Sequence, residues 1–595
     1  MTAHKYPPVM NQVYERMQRR LWGVALLCLI PFLAVACTTS AQEPDGASAP
    51  ASTSAAPNAS ELPSPYPDRI VLTWSADPSS SLSVSWRTDT SVSSAEAQIA
   101  VAKAEPSFDK SSRSVTAITE PFPGHDEHTE ETVKAHYHSV TFDELEPATQ
   151  YAYRVGDGTR WSEWFHARTG SAKAAPFSFI YMGDAQNGIG SQWPRAIRAA
   201  YAQASNAAFT VHAGDLVDRA HRDLEWGQWN RGGSWVLSML PNIPVPGNHE
   251  HEAIGEEATV EQTLTLDASR TQEGSDSQLR GSVGLPNGET APFSATRAGD
   301  TSSSWAGNWS FQIAGSAYQG TLKMSEDGGA LSGALIADEA EQLDLRDVQV
   351  QSDQLTAAFS VELPDPGQEE LSLQWRPQFT LPENGPAGME ETVYYLDFQG
   401  MRIIALNSNI RDEAQLRQQT EWLASVLESS DARWTAVTFH HPVFSSAEGR
   451  SNEHLRTAWK PLFDKYQVDL VMQGHDHTYA RGQVQNLAQG ANARVPASGT
   501  VYVNSVSGSK MYEIKDDRWD RFEDVEMQRG AENTQLYQVI HVEQDTMEYR
   551  SYTVTGELYD AFDLVKQENG LPNELVERPT TVREERTHEN TIAYD

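Results

Sequence analysis

The stretch VHAGDLVDRA, residues 211–220, closes a short apolar run on a glycine and then places two aspartates three residues apart, Asp215 and Asp218, with Arg219 adjacent. Four other stretches follow a similar plan: FSFIYMGD (177–184), NIPVPGNH (242–249), RWTAVTFHH (433–441) and VDLVMQGHDH (468–477). Each has the length and composition of a buried strand and stops at polar residues rich in Asp, Asn or His. Helical patterns lie between several of them, as in QWPRAIRAAYAQA (192–204) and EHLRTAWKPLFDKY (453–466). The alternation predicts an α/β layered domain, and open α/β sheets present ligand groups on the loops at the carboxyl ends of their strands. Every His/Asp/Asn cluster of these α/β stretches falls at such an end.

At 595 residues the chain exceeds one ordinary core, and several domains are expected. Acidic residues outnumber basic ones 82 to 45, for a formal net charge of −37. That surplus repels nucleic-acid backbones and anionic membrane surfaces, so no nucleic-acid partner is expected, and handling a phosphate requires a local cation that reverses the sign. The segment ERMQRRLWGVALLCLIPFLAVAC (15–37) has Arg16, Arg19 and Arg20, an apolar stretch from Leu21 to Leu33, and small residues running into Cys37. It reads as an export signal, being short of the about 20 apolar residues a spanning helix needs. LAVAC resembles a bacterial lipoprotein cleavage box, which implies a lipid anchor on Cys37 as the only membrane contact, in the periplasm or outer membrane. The AVA before it also suits simple secretion. Cys28 lies inside the signal, so the mature chain forms no internal disulfide.

The domain reading follows composition: signal 1–36, Ser/Ala/Pro-rich linker 37–66, all-β domain 67–170, α/β domain 171–255 and 374–567, β-rich insertion 256–373, and a charged loose tail 568–595. In the all-β part, LEPATQYAYRVG (145–156) resembles the tyrosine corner of fibronectin type III-like sandwiches, with Trp86 and Tyr153 as core candidates. The insertion opens polar and then alternates like strands, which favours a small β domain over a long loop.

The strand ends together offer Asp184, Asp215, Asn248, His440, His475 and His477, with His249 beside Asn248. Imidazole and oxygen donors suit Zn, Mn or Fe. They are too many for one ordinary site and suit two cations sharing a carboxylate, the arrangement that clamps both oxygens of an in-line phosphoryl displacement.

The order GD, GD-x-x, GNHE, H-x-P, GH-x-H resembles the calcineurin-like metallophosphoesterases, and the preceding sandwich is similar to the layout of purple acid phosphatases. The fold so implied is of the α/β class, a four-layer metallophosphoesterase β-sandwich flanked by helices. The resemblance implies Asp184, Asp215 and His477 on the first metal, Asp215 bridging, and Asn248, His440 and His475 on the second, with His249 over the phosphate or leaving group. It implies hydrolysis of small phosphate esters, acid phosphatase-like, by a hydroxide that metal charge makes available. Where purple acid phosphatases carry the tyrosine whose phenolate on ferric iron gives the colour, this chain has Asp218. No such band is expected. GDLVDRA instead looks like the GD-x-V-D-R-G of serine/threonine protein phosphatases, which implies an Asp218 carboxylate bonded to the His249 ring so that the imidazolium can donate to the leaving oxygen. A turn-capping role for Asp218 is the alternative.

Gln186 stands where many relatives have a histidine, open to a role as weak ligand, water holder or loop residue. Arg219 is a candidate for phosphate oxygens or for a surface ion pair, and Asn409 is a candidate phosphate contact. His441 is left off the metal, since adjacent residues at a strand end point different ways. Arg450, Asn452 or His454 are the candidates for the substrate-facing positions. Two other readings stay open: a phosphodiesterase or nucleotide hydrolase on the same core, and a non-catalytic cell-envelope binding protein with a structural metal site.

Overall fold

The computed structural model describes residues 62–587 apart from 127–130, 254–258, 274–275, 285–289, 299–303, 314–318, 328–329, 338–341, 365–368, 448–449, 485–498, 516, 523–524 and 568–570. The export signal, Cys37 and most of the linker expected at 37–66 lie outside the described residues, as does the end of the chain. Among the described residues no helix is long and apolar enough to cross a membrane. They fall into two compact units, one made by residues 254–368 and one by the rest.

The larger unit begins with two four-stranded antiparallel sheets. One runs Asp68–Thr73, Leu82–Asp89, Glu131–Phe142, Ile118–Asp126, and the other Arg113–Thr116, Glu96–Val101, Gln150–Gly156, Phe165–Arg168. Alternating residues of both fill the space between them, Trp86 and Tyr153 with no exposure. The Tyr151 hydroxyl accepts the Glu146 N–H at 2.7 Å, tying the corner at 145–151 to its own backbone.

Two seven-stranded sheets follow. The first is ordered Asn242–Pro244, Thr210–His212, Phe177–Met182, Leu536–Val542, Thr546–Thr553, Leu558–Val565, Glu574–Glu577. The second is ordered Tyr394–Phe398, Met401–Ala405, Trp434–Thr438, Leu470–Gln473, Val501–Asn504, Tyr479–Val484, Val525–Ala531. Their apolar faces share one core that includes Tyr181, Met182, Met472, Val503 and Tyr549. The Tyr181 hydroxyl crosses the interface to the Gln473 carbonyl. Helices Trp193–Gln203 and Asp223–Gly233 add their buried faces to this core from the first sheet's side, while Glu413–Glu428 and Glu453–Tyr466 pack on the second sheet. Glu413–Glu428 shows why such a segment is helical: Asp412 caps it by accepting the Gln415 N–H at 2.8 Å, and Gln419, Leu423, Val426 and Leu427 form one buried stripe. Phe177–Met182, Thr210–His212 and Asn242–Pro244 run parallel, as do Met401–Ala405, Trp434–Thr438, Leu470–Gln473 and Val501–Asn504, so the two sheets each deliver a set of parallel carboxyl ends.

The stretch expected as a loose tail from Glu568 is instead part of the fold where it is described. Glu574–Glu577 extends the first sheet, pairing with Phe562–Val565, and Glu585 takes bonds from Arg518 and from the Gly530 N–H at 2.7 Å. Its charges made it look solvated, but Glu577 and Glu585 pair with Arg481 and Arg518, and Arg578 and Arg586 with Asp563 and Glu557.

The smaller unit is a closed eight-stranded antiparallel barrel running from Thr259 to Pro364, each strand pairing with the next and the last with the first. The barrel has no free edge. Leu266, Leu279, Trp309, Leu322, Leu335 and Leu355, nearly or fully without exposure, belong to its apolar core.

Candidate metal centre

Each expected ligand lies a few residues past a parallel strand. Asp184 follows Phe177–Met182, Asp215 follows Thr210–His212, Asn248 and His249 follow Asn242–Pro244, His440 follows Trp434–Thr438, and His475 and His477 follow Leu470–Gln473. The fold gathers them into two groups whose candidate donor atoms lie within 4.8 Å of one another: Asp184, Asp215 and His477, and Asp215, His440 and His475. Asp215 belongs to both. Asn248 adds its amide oxygen to the second group, Oδ1 lying 3.2 Å from the His440 Nε2.

The backbone at this centre is strained where it must bend. Asp184, Asp215, His475 and His477 all have positive φ, of 34°, 52°, 76° and 50°. Such conformations cost about 1–3 kcal/mol each and persist only where the surroundings enforce them. The motif glycines provide the room. A Cβ on Gly247 would sit 2.1 Å from the Asp215 Oδ1, and one on Gly474 would sit 2.4 Å from the Asp184 Oδ2.

Hydrogen bonds from outside the cluster choose which ring nitrogens face it. His440 donates Nδ1–H to the Ala213 carbonyl at 2.8 Å and His477 donates Nδ1–H to the Lys510 carbonyl at 3.0 Å, so both present Nε2. His475 presents Nδ1, 3.2 Å from the His440 Nε2. His441 turns away to the Ser408 hydroxyl at 2.9 Å and packs its ring against that of His475.

The electrostatics call for a cation. Asp184 and Asp215 are buried, and among the described residues no Lys or Arg pairs with either. Burial pushes the Asp184 carboxyl well above the usual range, with His440 opposing and Asp215 adding to the shift. Burial first, then Arg450 for His475 and Lys510 for His477, hold both imidazoles well below their usual pKa, leaving neutral rings with lone pairs to give. Burial disfavours charge on Asp215 and His440 too, but each stabilises the other: the Asp215 carboxyl stays below the usual range, and His440 rises to about 9. A metal would take the place of that shared proton. Carboxylate, amide and imidazole donors in this arrangement fit two ions of the Zn, Mn or Fe type.

Other candidates fall at graded distances. Gln186 is fully buried; its Nε2 donates to the Asp215 Oδ2 at 2.7 Å and lies 2.9 Å from the His477 Nε2, so its amide NH2 braces the first group. His249, a fifth exposed at its side chain, has Nε2 3.9 Å from the Asp215 Oδ2 on the more open side of the cluster. Its Nδ1 donates to the main-chain carbonyl of Asp218 at 2.5 Å, whereas the Asp218 carboxylate lies 4.0 Å from that nitrogen and accepts from the Asn187 amide at 2.8 Å. The expected carboxylate–imidazole bond is thus replaced by a main-chain one, because the turn after Asp215 brings the carbonyl of Asp218 to the ring and Asn187 draws its side chain off. Arg219 lies 4.0 Å from the Asp218 carboxylate. Asn409 donates to the Pro246 carbonyl at 3.0 Å, bracing the loop that carries Asn248. Arg450 donates to the His475 carbonyl at 2.5 Å and to Asp476 at 3.2 Å, so it positions a ligand loop. Asn452 donates to the Pro442 carbonyl, and His454 is exposed.

Two residues inside the motifs carry structural duties not read from the sequence. Glu250, the last residue of GNHE, accepts main-chain N–H bonds from Asp215, Leu216, Val217 and Gly247. Burial, and then the Asp215 charge, lifts it to about 7. Asp476, between the two histidines of GHDH, accepts from Ser445, Ser446, Ala447 and Arg450. Lys510 and Tyr512 were also missed. They follow the parallel strand Val501–Asn504, and the strand-end rule that located the other loops points to this one as well.

The purple acid phosphatase N-terminal domain matches residues 67–169, and the calcineurin-like phosphoesterase domain matches residues 366–479. An uncharacterised protein of Mycobacterium tuberculosis is 32% identical over 136 residues, which are 20% of this chain and 26% of that protein. Purple acid phosphatase 1 of Ipomoea batatas is 28% identical over 131 residues, 21% of this chain and 28% of the other. The chain thus spans about a quarter of the length of these curated relatives. A purple acid phosphatase from yellow lupin (Lupinus luteus) seeds superposes with a TM-score of 0.52 at 15% identity, covering 85% of this chain and 75% of that one, which shows a shared fold. The chain thus carries one segment similar to the purple acid phosphatase N-terminal domain and one similar to the calcineurin-like phosphoesterase domain, and it shares its fold with a purple acid phosphatase.

Proposed function

We propose that the protein hydrolyses small phosphate esters, phosphomonoesters first, at a centre of two metal ions. The observation that carries this reading is the pair of donor groups sharing Asp215, with His249 beside them but in neither. A purely structural metal site needs no such extra proton carrier. Asp184, Asp215 and His477 would hold one ion, with the Gln186 amide NH2 bonded to the Asp215 carboxylate beside it, and Asp215, Asn248, His440 and His475 the other. When bound, the ions supply positive charge for the phosphoryl oxygens and lower the pKa of a water molecule. The chain's own part is to orient and to move a proton. The Asp218 carbonyl fixes Nδ1–H of His249, so Nε2 is the atom that passes a proton to the departing oxygen. Glu250 and Asp476 hold the ligand loops in register from behind. Asp218 accepts from Asn187 and offers no phenolate, so the visible charge-transfer band of a tyrosine-ligated ferric ion is not expected.

We further propose that the chain is exported and anchored by a lipid on Cys37 in a bacterial envelope, and that its acidic surface leaves nucleic acid out of its partners. The test is elemental analysis of the purified, untagged protein together with a panel of aryl phosphomonoesters and diesters. Two ions per chain and turnover of monoesters are expected. Turnover confined to diesters would favour the diesterase reading, and a fully metallated protein inert toward every ester would leave the binding-protein reading standing.

A further inference from the structure

The loop after Val501–Asn504 is built against the metal centre. The Ser507 N–H donates to the Gly183 carbonyl at 2.8 Å and Gly508 N–H to the Asp184 carbonyl at 2.6 Å, so the loop is stitched to the segment that carries Asp184 and Gln186. It then returns along His477, which donates to the Lys510 carbonyl and packs its ring 4.9 Å from that of Tyr512. Tyr512 has two cations beside it. The Arg450 guanidinium lies 5.1 Å from its ring centroid and is already bonded to the His475 carbonyl and Asp476. The Lys510 ammonium lies 5.8 Å from the same centroid, and among the described residues it pairs with no carboxylate. A half-buried lysine without an acidic partner is unexpected in a chain with 82 acidic and 45 basic residues, and it stands beside a metal ligand. The aromatic ring holds the ammonium in place at modest cost in solvation.

We propose that Lys510, seated on Tyr512, selects phosphomonoesters over diesters by taking the second negative charge of the monoester. Near neutral pH a monoester carries close to two charges because its second pKa is about 6, whereas a diester carries one. A fixed cation at the rim therefore favours the monoester through binding and leaves the diester nearly untouched. This rests on the phosphoester reading above.

The test compares metal-loaded full-length wild type with Lys510→Met, Lys510→Gln and Lys510→Arg on 4-nitrophenyl phosphate and bis(4-nitrophenyl) phosphate, which share a leaving group. The ratio of kcat/KM for monoester over diester is expected to fall tenfold or more in the Met and Gln variants, mainly through KM, and to recover in the Arg variant, with metal content unchanged. Lys515→Met, which removes the same net charge from a residue paired with Asp517, is expected to leave the ratio alone. An unchanged ratio, or equal losses on both esters, overturns the proposal. Should wild type cleave neither ester, the phosphoester reading fails and Lys510 is judged by calorimetric titration of inorganic phosphate against dimethyl phosphate. A tenfold selective weakening for phosphate in Lys510→Met supports its role, and equal weakening or none refutes it.

Discussion

His249 takes its orientation from a main-chain carbonyl, and this separates two substitutions that look alike in sequence. In Asp218→Asn the carbonyl that accepts Nδ1–H survives and only a carboxylate bonded to Asn187 is altered. We expect activity within about threefold of wild type, because nothing that touches the ring is lost. In His249→Ala the proposed proton carrier goes, and kcat should fall about 10²–10⁴-fold with metal content intact. The loss should grow as the leaving group becomes more basic. Steady-state kinetics on aryl phosphates of graded leaving-group pKa, with metal analysis on each variant, would check both. An Asp218→Asn loss as large as that of His249→Ala would show that the carboxylate does the work after all.

At the scale of elements, the centre depends on loops that are forced into place. Glu250 gathers four main-chain N–H groups from two ligand loops, and removing its carboxylate strands them in a buried site. Glu250→Ala is expected to destabilise the fold by about 3 kcal/mol or more and to weaken metal binding, since Asp215 and Asn248 lose their common brace. Chemical unfolding and metal competition would measure the two effects separately. The strand Thr210–His212 carries a different liability. His212 is buried with Nε2 3.1 Å from the Asn242 Oδ1, and burial lowers its pKa to about 4. A base depressed in the folded state favours folding fully above its unfolded pKa, about 6.5, and loses that contribution as pH falls toward 4. The slope is at most about 1.4 kcal/mol per pH unit. His212→Gln should flatten the difference in unfolding free energy between pH 6.5 and 4 relative to wild type. A parallel pH profile would exclude His212 as a source of acid lability.

At the scale of the whole molecule, the insertion's ends decide how separable it is. Within the barrel Thr259 pairs with Pro364, and within the other unit Ala253 pairs with Glu369. Both sets of ends are already side by side, so replacing residues 254–368 with an Asn-Gly turn should close a short hairpin between His251–Ala253 and Glu369–Leu371. The shortened protein is expected to fold and to bind as much metal as the parent, measured by circular dichroism and elemental analysis. Failure to fold would mean that the barrel is an integral part of the core. Within the larger unit the N-terminal sandwich is fastened by buried ion pairs: Asp223, on the helix after the Asp215 loop, pairs with Arg69 at 2.7 Å and Arg87 at 3.0 Å.

By itself the sequence determined the α/β plan and the order of donor residues, because strand ends announce themselves as apolar runs broken by Gly, Asp, Asn and His, and that grammar is local. It also marked the tyrosine corner, whose hydroxyl bonds only five residues back. Only the tertiary structure decided that the carbonyl and not the carboxylate of Asp218 meets His249, that the Gln186 amide bonds to Asp215, that Arg450 is occupied, and that residues 574–577 join a sheet. It also brought Lys510 to His477 across 33 positions of chain. These outcomes rest on which of several polar groups wins a partner from a distant segment. That competition is settled by packing in three dimensions, and composition and spacing carry no record of it.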